Sequence, residues 1–267
     1  MEAKFARDSA VRQIEPGVFE GEVNRDWWIV FGPNGGFVAA LLMRAMATTV
    51  GDDARLPRSL TVHYTSAPAE GTVRIRTTVE RAGRSLTTVS ARMDQNGRLI
   101  AIAAGAFSLA REGALDFDDT SAPDVPPPEE LRTFDPRPEL PPFAHRWEVR
   151  PALGAPPFSG ADHALDGGWI RPLEPQPLDG ALVAQLTDAW IPAVFTRLTR
   201  PDPVPTIDLT VHFRAPLPLP SDWVLARFES KLSRDGFVEE DGELWTRDGV
   251  LIAQSRQLAL LQARSQQ

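Results

Sequence analysis

The sequence predicts an α+β chain of two like units, each an antiparallel sheet wrapped around one central helix. Three observations predict it. Segments of the first half recur in order in the second half. Each half opens with a strongly apolar segment of helical length. Each such segment is followed by runs that alternate apolar and polar residues, as half-buried strands do.

The recurrence has three parts. Leu60-Thr-Val-His63-Tyr64 returns as Leu209-Thr-Val-His212-Phe213, at an offset of 149. Asn96-Gly97-Arg-Leu-Ile-Ala returns as Asp248-Gly249-Val-Leu-Ile-Ala, at an offset of 152. Gly36-Phe-Val-Ala-Ala-Leu-Leu faces Gly180-Ala-Leu-Val-Ala-Gln-Leu, at an offset of 144. Three matches in one order, at nearly one offset, predict that both halves share a fold.

Within each half a turn comes first: Gly32-Pro-Asn-Gly-Gly36, then Leu178-Asp-Gly180. Residues 37–46 and 181–190 follow and are apolar on nearly every side, so both are expected to be buried helices. SLTVHY and TIDLTVHF alternate with period two and carry β-branched residues. The rest of each half is expected to form a meander, with turns at Ala82-Gly83, Asn96-Gly97 and Asp248-Gly249. Asn-Gly and Asp-Gly supply the positive φ angles that hairpin turns need. Two sheets in one chain can join edge to edge and leave fewer open edges.

Residues 112–141 divide the halves. They hold nine acidic and two basic residues, so this segment carries most of the formal net charge of −8. They include the proline run 126–128, and proline removes donors and fixes φ. The segment reads as an extended acidic connector between units at 10–111 and 142–264.

Composition narrows the function. There is no cysteine, which excludes disulfides, cysteine nucleophiles and thiolate metal sites and suits a reducing cytoplasm. No basic stripe marks a nucleic-acid surface. The first residues lack the apolar core of a signal peptide, and the longest apolar run, 99–110, is too short for a bilayer. G-x-S-x-G, H-E-x-x-H, G-x-G-x-x-G and the P-loop pattern are all absent, so no cofactor and no metal are expected. His63 and His212 occupy equivalent positions in the two halves, which favours a structural role.

The repeat also supplies an internal control. Asp188 faces Arg44, Thr206 faces Pro57 and Gln257 faces Gly105 at the three offsets. Only the second half has a carboxylate, a hydroxyl and an amide there. Asp188 is expected near the end of the second helix, where a negative charge opposes the macrodipole at a cost of about 0.3–1 kcal/mol. Gln257 shares its phase with Leu251, Ala253, Ser255 and Ala259, which predicts that it faces inward. Thr206 falls in the outward phase with Asp208 and Thr210, and reaches the interior only if its strand is bulged.

At these residues the chain resembles the acyl-CoA thioesterase II-like, double-hotdog family, over about residues 15–264. The resemblance rests on FGPNGGFVAALLMRA, SLTVHYTSAP followed by GRSLTTVSARM, LTDAW, TIDLTVHFRAP and RDGVLIAQSRQ. It implies a double hotdog fold and acyl-CoA as substrate. It also implies that an Asp, a Thr and a Gln orient the attacking water, falling here on Asp188, Thr206 and Gln257. Hotdog sites form between paired units, so Gly35 and Gly36 are expected at the substrate-binding end of the first helix. Paired hotdogs commonly associate further, so a homo-oligomer is expected. The stretch between Asp188 and Thr206 is shorter than in the family's bacterial enzymes, which bears on acyl-chain preference. The residues themselves leave two alternatives open: a non-hydrolysing acyl-CoA binder and a hydratase-like enzyme, the latter needing a His beside the Asp.

Overall fold

The structure, a computed structural model, describes residues 2–261. Thirteen strands among them form one antiparallel sheet. In the first half these are β1 (Val11–Glu15), β2 (Val18–Val23), β3 (Leu56–Tyr64), β4 (Gly71–Ala82), β5 (Leu86–Gln95) and β6 (Arg98–Ser108). In the second half they are β7 (Trp147–Gly154), β8 (Ala164–Pro172), β9 (Thr206–Phe213), β10 (Val224–Ser230), β11 (Ser233–Arg234), β12 (Phe237–Trp245) and β13 (Leu251–Leu260). Their order across the sheet is β1-β2-β4-β5-β6-β3-β9-β13-β12-β10-β8-β7, with β11 added beside β12. Read outward from the middle, the second half repeats the first strand for strand.

The halves join where β3 pairs with β9. Thr61 lies opposite Thr210, with their hydroxyl oxygens 3.0 Å apart. These are the same position of the repeat, so a pseudo-two-fold axis passes between them. The seam satisfies two strand edges that would otherwise be open.

The described residues include three α-helices: α1 (Lys4–Asp8), α2 (Gly35–Val50) and α3 (Gly180–Leu186). α2 runs longer than the apolar pattern predicts and stops at Gly51, whose φ of 62° closes the helix in the left-handed conformation. Phe37, Leu41, Leu42 and Met46 are fully buried in it, each contributing roughly 1.5–3 kcal/mol. α3 is shorter than expected. Its N-cap Asp179 accepts the Leu182 N–H at 2.8 Å. At the other end, the Thr187 hydroxyl bonds the Ala184 carbonyl at 2.8 Å, and the N–H groups of Asp188 and Ala189 reach back only three residues. Asp188 therefore lies past the helix rather than in its last turn, which corrects the expected clash with the α3 dipole.

Asn96 and Gly97 both take positive φ and form the expected tight turn between β5 and β6. The Asp248-Gly249 connection differs. Only Gly249 has positive φ, and a longer loop closed by Thr246 N–H to the Val250 carbonyl joins β12 to β13.

The acidic segment does not hang free. Ala122, Val125 and Leu131 pack against Trp169, Trp223, Leu225, Trp245 and Leu251. The Trp169 indole donates to the Pro126 carbonyl at 2.9 Å, and Arg150 donates to that of Pro128. The connector thus covers the outer face of the second half-sheet, while the helices and the main core fill the inner face. No described helix is long and apolar enough to cross a membrane.

Candidate active site

The two helices meet end to end. The start of α2 abuts the end of α3 so closely that a Cβ on Gly36 would sit 2.6 Å from the Gln185 carbonyl oxygen. A Cβ on Gly35 would sit 3.0 Å from Asp188 Oδ2. Only glycine permits this approach. The contact brings Asp188 to the N-terminus of α2, the positive end of that helix. The Gly36 N–H donates to Asp188 Oδ2 at 2.8 Å, and Asn34 Nδ2 donates to the same oxygen at 3.0 Å. Asn34 Nδ2 also reaches the Asp188 carbonyl at 2.7 Å. Gln185, fully buried, donates to Asn34 Oδ1 at 2.6 Å and so fixes which way the Asn34 amide points. The only tyrosine, Tyr64, donates to the Gly35 carbonyl at 2.9 Å.

Thr206 arrives from the second half-sheet. Opposite β13, Leu258 pairs with Asp208 but Ala259 pairs with Thr206, so Ile207 is an extra residue. This bulge turns Thr206 into the inward phase. Its counterpart in the first half lies at Arg58, between Pro57 and Ser59. Gln257 is buried and inward, as its alternation predicts. The Thr206 hydroxyl donates to Gln257 Oε1 at 3.0 Å. Gln257 Nε2 donates to Glu240 Oε1 at 2.7 Å, and the Ala193 N–H donates to Glu240 Oε2 at 2.5 Å.

Asp188, Thr206, Gln257 and Glu240 line one cavity of about 30 Å³, together with Trp190, Ser230 and apolar walls including Val194, Val204, Val238 and Ala259. That volume suits an ordered water, which needs at least about 10–15 Å³ and several polar partners. Burial pushes the Asp188 carboxyl up to about 6, against the opposing pull of the Gly36 and Asn34 hydrogen bonds. Burial pushes Glu240 up to about 7, helped by the negative charges of Asp188 and Asp166. Asp166 is raised by burial to about 6. Burial and the nearby Asp188 charge hold the Tyr64 hydroxyl well above its ordinary range.

Glu240, Asn34, Gln185 and Tyr64 escaped the reading of the sequence. Glu240 had a usable signal, because it shares its phase in β12 with Val238, Gly242 and Leu244. Strand pairing makes Val89 its counterpart in the first half, since Gly105 pairs with Val89 as Gln257 pairs with Glu240. Trp190 lines the cavity, while Trp27 is core, its ring stacked on Phe37 with centroids 5.1 Å apart. His63 and His212 are exposed on the central strands, and no histidine is among the residues lining the cavity. Among the described residues, no group of three or more His, Asp or Glu side chains could hold a metal ion.

The mirror position in the first half is filled. Arg44 pairs with Asp179 at 3.1 Å and bonds the Ser9 hydroxyl at 2.8 Å. Pro57 lies 3.0 Å from where a Cβ on Gly180 would be, and Met46 Sδ lies 3.1 Å from where one on Gly105 would be.

Comparison with known proteins agrees with this layout. A family model described as the acyl-CoA thioesterase N-terminal domain matches residues 24–108, and one described as the acyl-CoA thioesterase C-terminal domain matches residues 120–261. An uncharacterized protein of Mycobacterium tuberculosis is 29% identical over 304 residues, covering 99% of this chain and all of that protein. A protein of unknown function with a hot dog fold from Alicyclobacillus acidocaldarius superposes with a TM-score of 0.90 at 27% identity, over 99% of this chain and all of the other. An acyl-CoA thioesterase II from Mycobacterium marinum shares the fold, with a TM-score of 0.79 at 22% identity over 98% of this chain and 99% of that one.

Proposed function

Because the chain belongs to the acyl-CoA thioesterase family, we propose that it hydrolyses an acyl-CoA thioester to the free acid and CoA through a water held by Asp188, Thr206 and Gln257. One observation supports the reading: these three residues, which the first half of the repeat lacks at the matching positions, open onto a single cavity of water size. In this reading the fold is a double hotdog with units at 10–111 and 142–264, and residues 112–141 connect them.

Hydrolysis needs a nucleophile and a place for negative charge. Asp188 accepts a proton from the water as the water attacks the thioester carbonyl carbon. The carbonyl π electrons move to oxygen, the intermediate collapses, the C–S bond breaks, and CoA leaves as the thiolate. The proton on Asp188 returns to solvent or to the thiolate. No covalent acyl-enzyme is involved. Gly35 and Gly36 bind the substrate end of the reaction: the carbonyl oxygen lies against the start of α2, sharing its positive end with Asp188. The Gly36 N–H itself donates to Asp188, so the helix terminus steadies the base directly and acts on the oxyanion through its dipole.

The test is thiol release from a panel of acyl-CoA chain lengths. Asp188→Asn is expected to lower kcat by about 10²–10⁴-fold with an unchanged far-ultraviolet circular dichroism spectrum. Turnover equal to the wild type would remove Asp188 from the mechanism.

A further inference from the structure

We propose that Glu240 is a positioning residue whose carboxylate sets the direction of a hydrogen-bond relay through Gln257 to Thr206, and thereby decides whether Thr206 accepts a hydrogen bond from the attacking water. The inference rests on the hydrolase reading above.

The relay is forced one bond at a time. The Ala193 N–H can only donate, and it donates to Glu240 Oε2. The ionised carboxylate can only accept, so its other oxygen, Oε1, must face the Gln257 NH2 group, as it does at 2.7 Å. That leaves Gln257 Oε1 facing Thr206, which must then donate its only hydroxyl proton to it, at 3.0 Å. The Thr206 oxygen is left with lone pairs alone. A water between Thr206 and Asp188 therefore meets two acceptors. Both of its protons are held, and a lone pair is free for the carbonyl carbon.

Protonation of Glu240 reverses every step. With Ala193 still holding Oε2, the new proton sits on Oε1 and donates to the Gln257 carbonyl oxygen. The Gln257 amide turns over and donates to the Thr206 oxygen. The hydroxyl proton of Thr206 then points at the water, which loses one of its two acceptors. The charged groups facing Glu240 are Asp188, from the segment after α3, and Asp166, from β8. From the flanking strands β10 and β13 the cavity receives the neutral Ser230 and Gln257. The two acidic neighbours and burial hold the Glu240 carboxyl near 7, so the reversal falls within the working range of an enzyme.

Steady-state thiol release from pH 5 to 9, on wild type and Glu240→Gln, tests this. Gln at 240 has one acceptor for Ala193 and one NH2 group for Gln257, which fixes the relay in its reversed direction. Glu240→Gln is expected to show kcat reduced about tenfold above pH 8, with the difference closing toward pH 5 and KM within about twofold, because positioning and not binding is lost. The acid limb of the wild-type log kcat profile is expected to be steeper than one between about pH 5.5 and 7, where Asp188 and Glu240 both take up protons, and that of Glu240→Gln to keep a slope of about one. Wild-type kcat and slope in Glu240→Gln overturn the inference. If that variant does not fold, a wild-type limb with a slope of about one overturns it unaided. Absence of thiol release from the wild type on every thioester defeats the hydrolase reading and this inference with it. Release by the wild type with an indifferent Glu240→Gln defeats this inference alone.

Discussion

Asp188 is held between an unfavourable and a favourable surrounding. The apolar cavity wall resists its charge, while the Gly36 N–H and the Asn34 amide support it. The balance leaves a carboxyl half-ionised at about pH 6, which in the proposed reaction accepts a proton above it. kcat/KM is therefore expected to rise with pH through about 6 and not to fall there, which a pH series of thiol release checks directly. The same burial has a consequence for stability. Asp188, Asp166 and Glu240 all bind protons more tightly when folded than when unfolded. Their contribution is complete below about pH 4 and is lost as pH rises from about 4 through about 7. Denaturant unfolding at pH 5 and pH 8 is expected to show lower stability at pH 8. In Glu240→Gln that difference is expected to shrink by on the order of 1–3 kcal/mol.

At the level of elements, the start of α2 and the end of α3 behave as one unit. Gly36→Ala would drive a methyl group into the Gln185 carbonyl, at 2.6 Å, and push the helices apart. A loss of about 1–3 kcal/mol is expected in thermal or denaturant melting, with reduced turnover because Asp188 moves with α3. This contact also marks the limit of what sequence can reveal. The repeat, the helix-then-meander order and the inward face of Gln257 were all legible, because each depends on local period or on comparison of one half with the other. The end of α3 was not, because it is decided by Thr187 bonding its own helix and by Asp188 turning to a helix 152 residues away in sequence. Thr206 stood between these cases. Its phase pointed outward, and only the bulge at Ile207 brings it in. Glu240 has an inward phase, but its counterpart Val89 lies outside the three short segments that the halves share.

For the molecule as a whole, the two halves share a fold but protect it differently. The outer strand residues of β4 in the first half are largely exposed. The outer face of the second half carries Trp169, Trp223, Leu225 and Trp245, and the acidic connector is laid across it. Charge on that segment keeps its solvent side wet, while Val125 and Leu131 seal the sheet. Val125→Asp is expected to destabilise the protein by about 1–3 kcal/mol in denaturant melts, while turnover of the folded fraction stays at the wild-type level. Equal loss of turnover and stability would instead tie the connector to the site.

The axis between Thr61 and Thr210 has a last consequence, for stoichiometry. Its symmetry matches the cavity to a mirror position that Arg44, Pro57 and Met46 fill, so in the proposed reaction each polypeptide turns over a single substrate at a time. A tight-binding, non-hydrolysable thioester analogue should titrate at one equivalent per chain. Opening the filled position by Met46→Ala should cost folding energy and leave that equivalence at one.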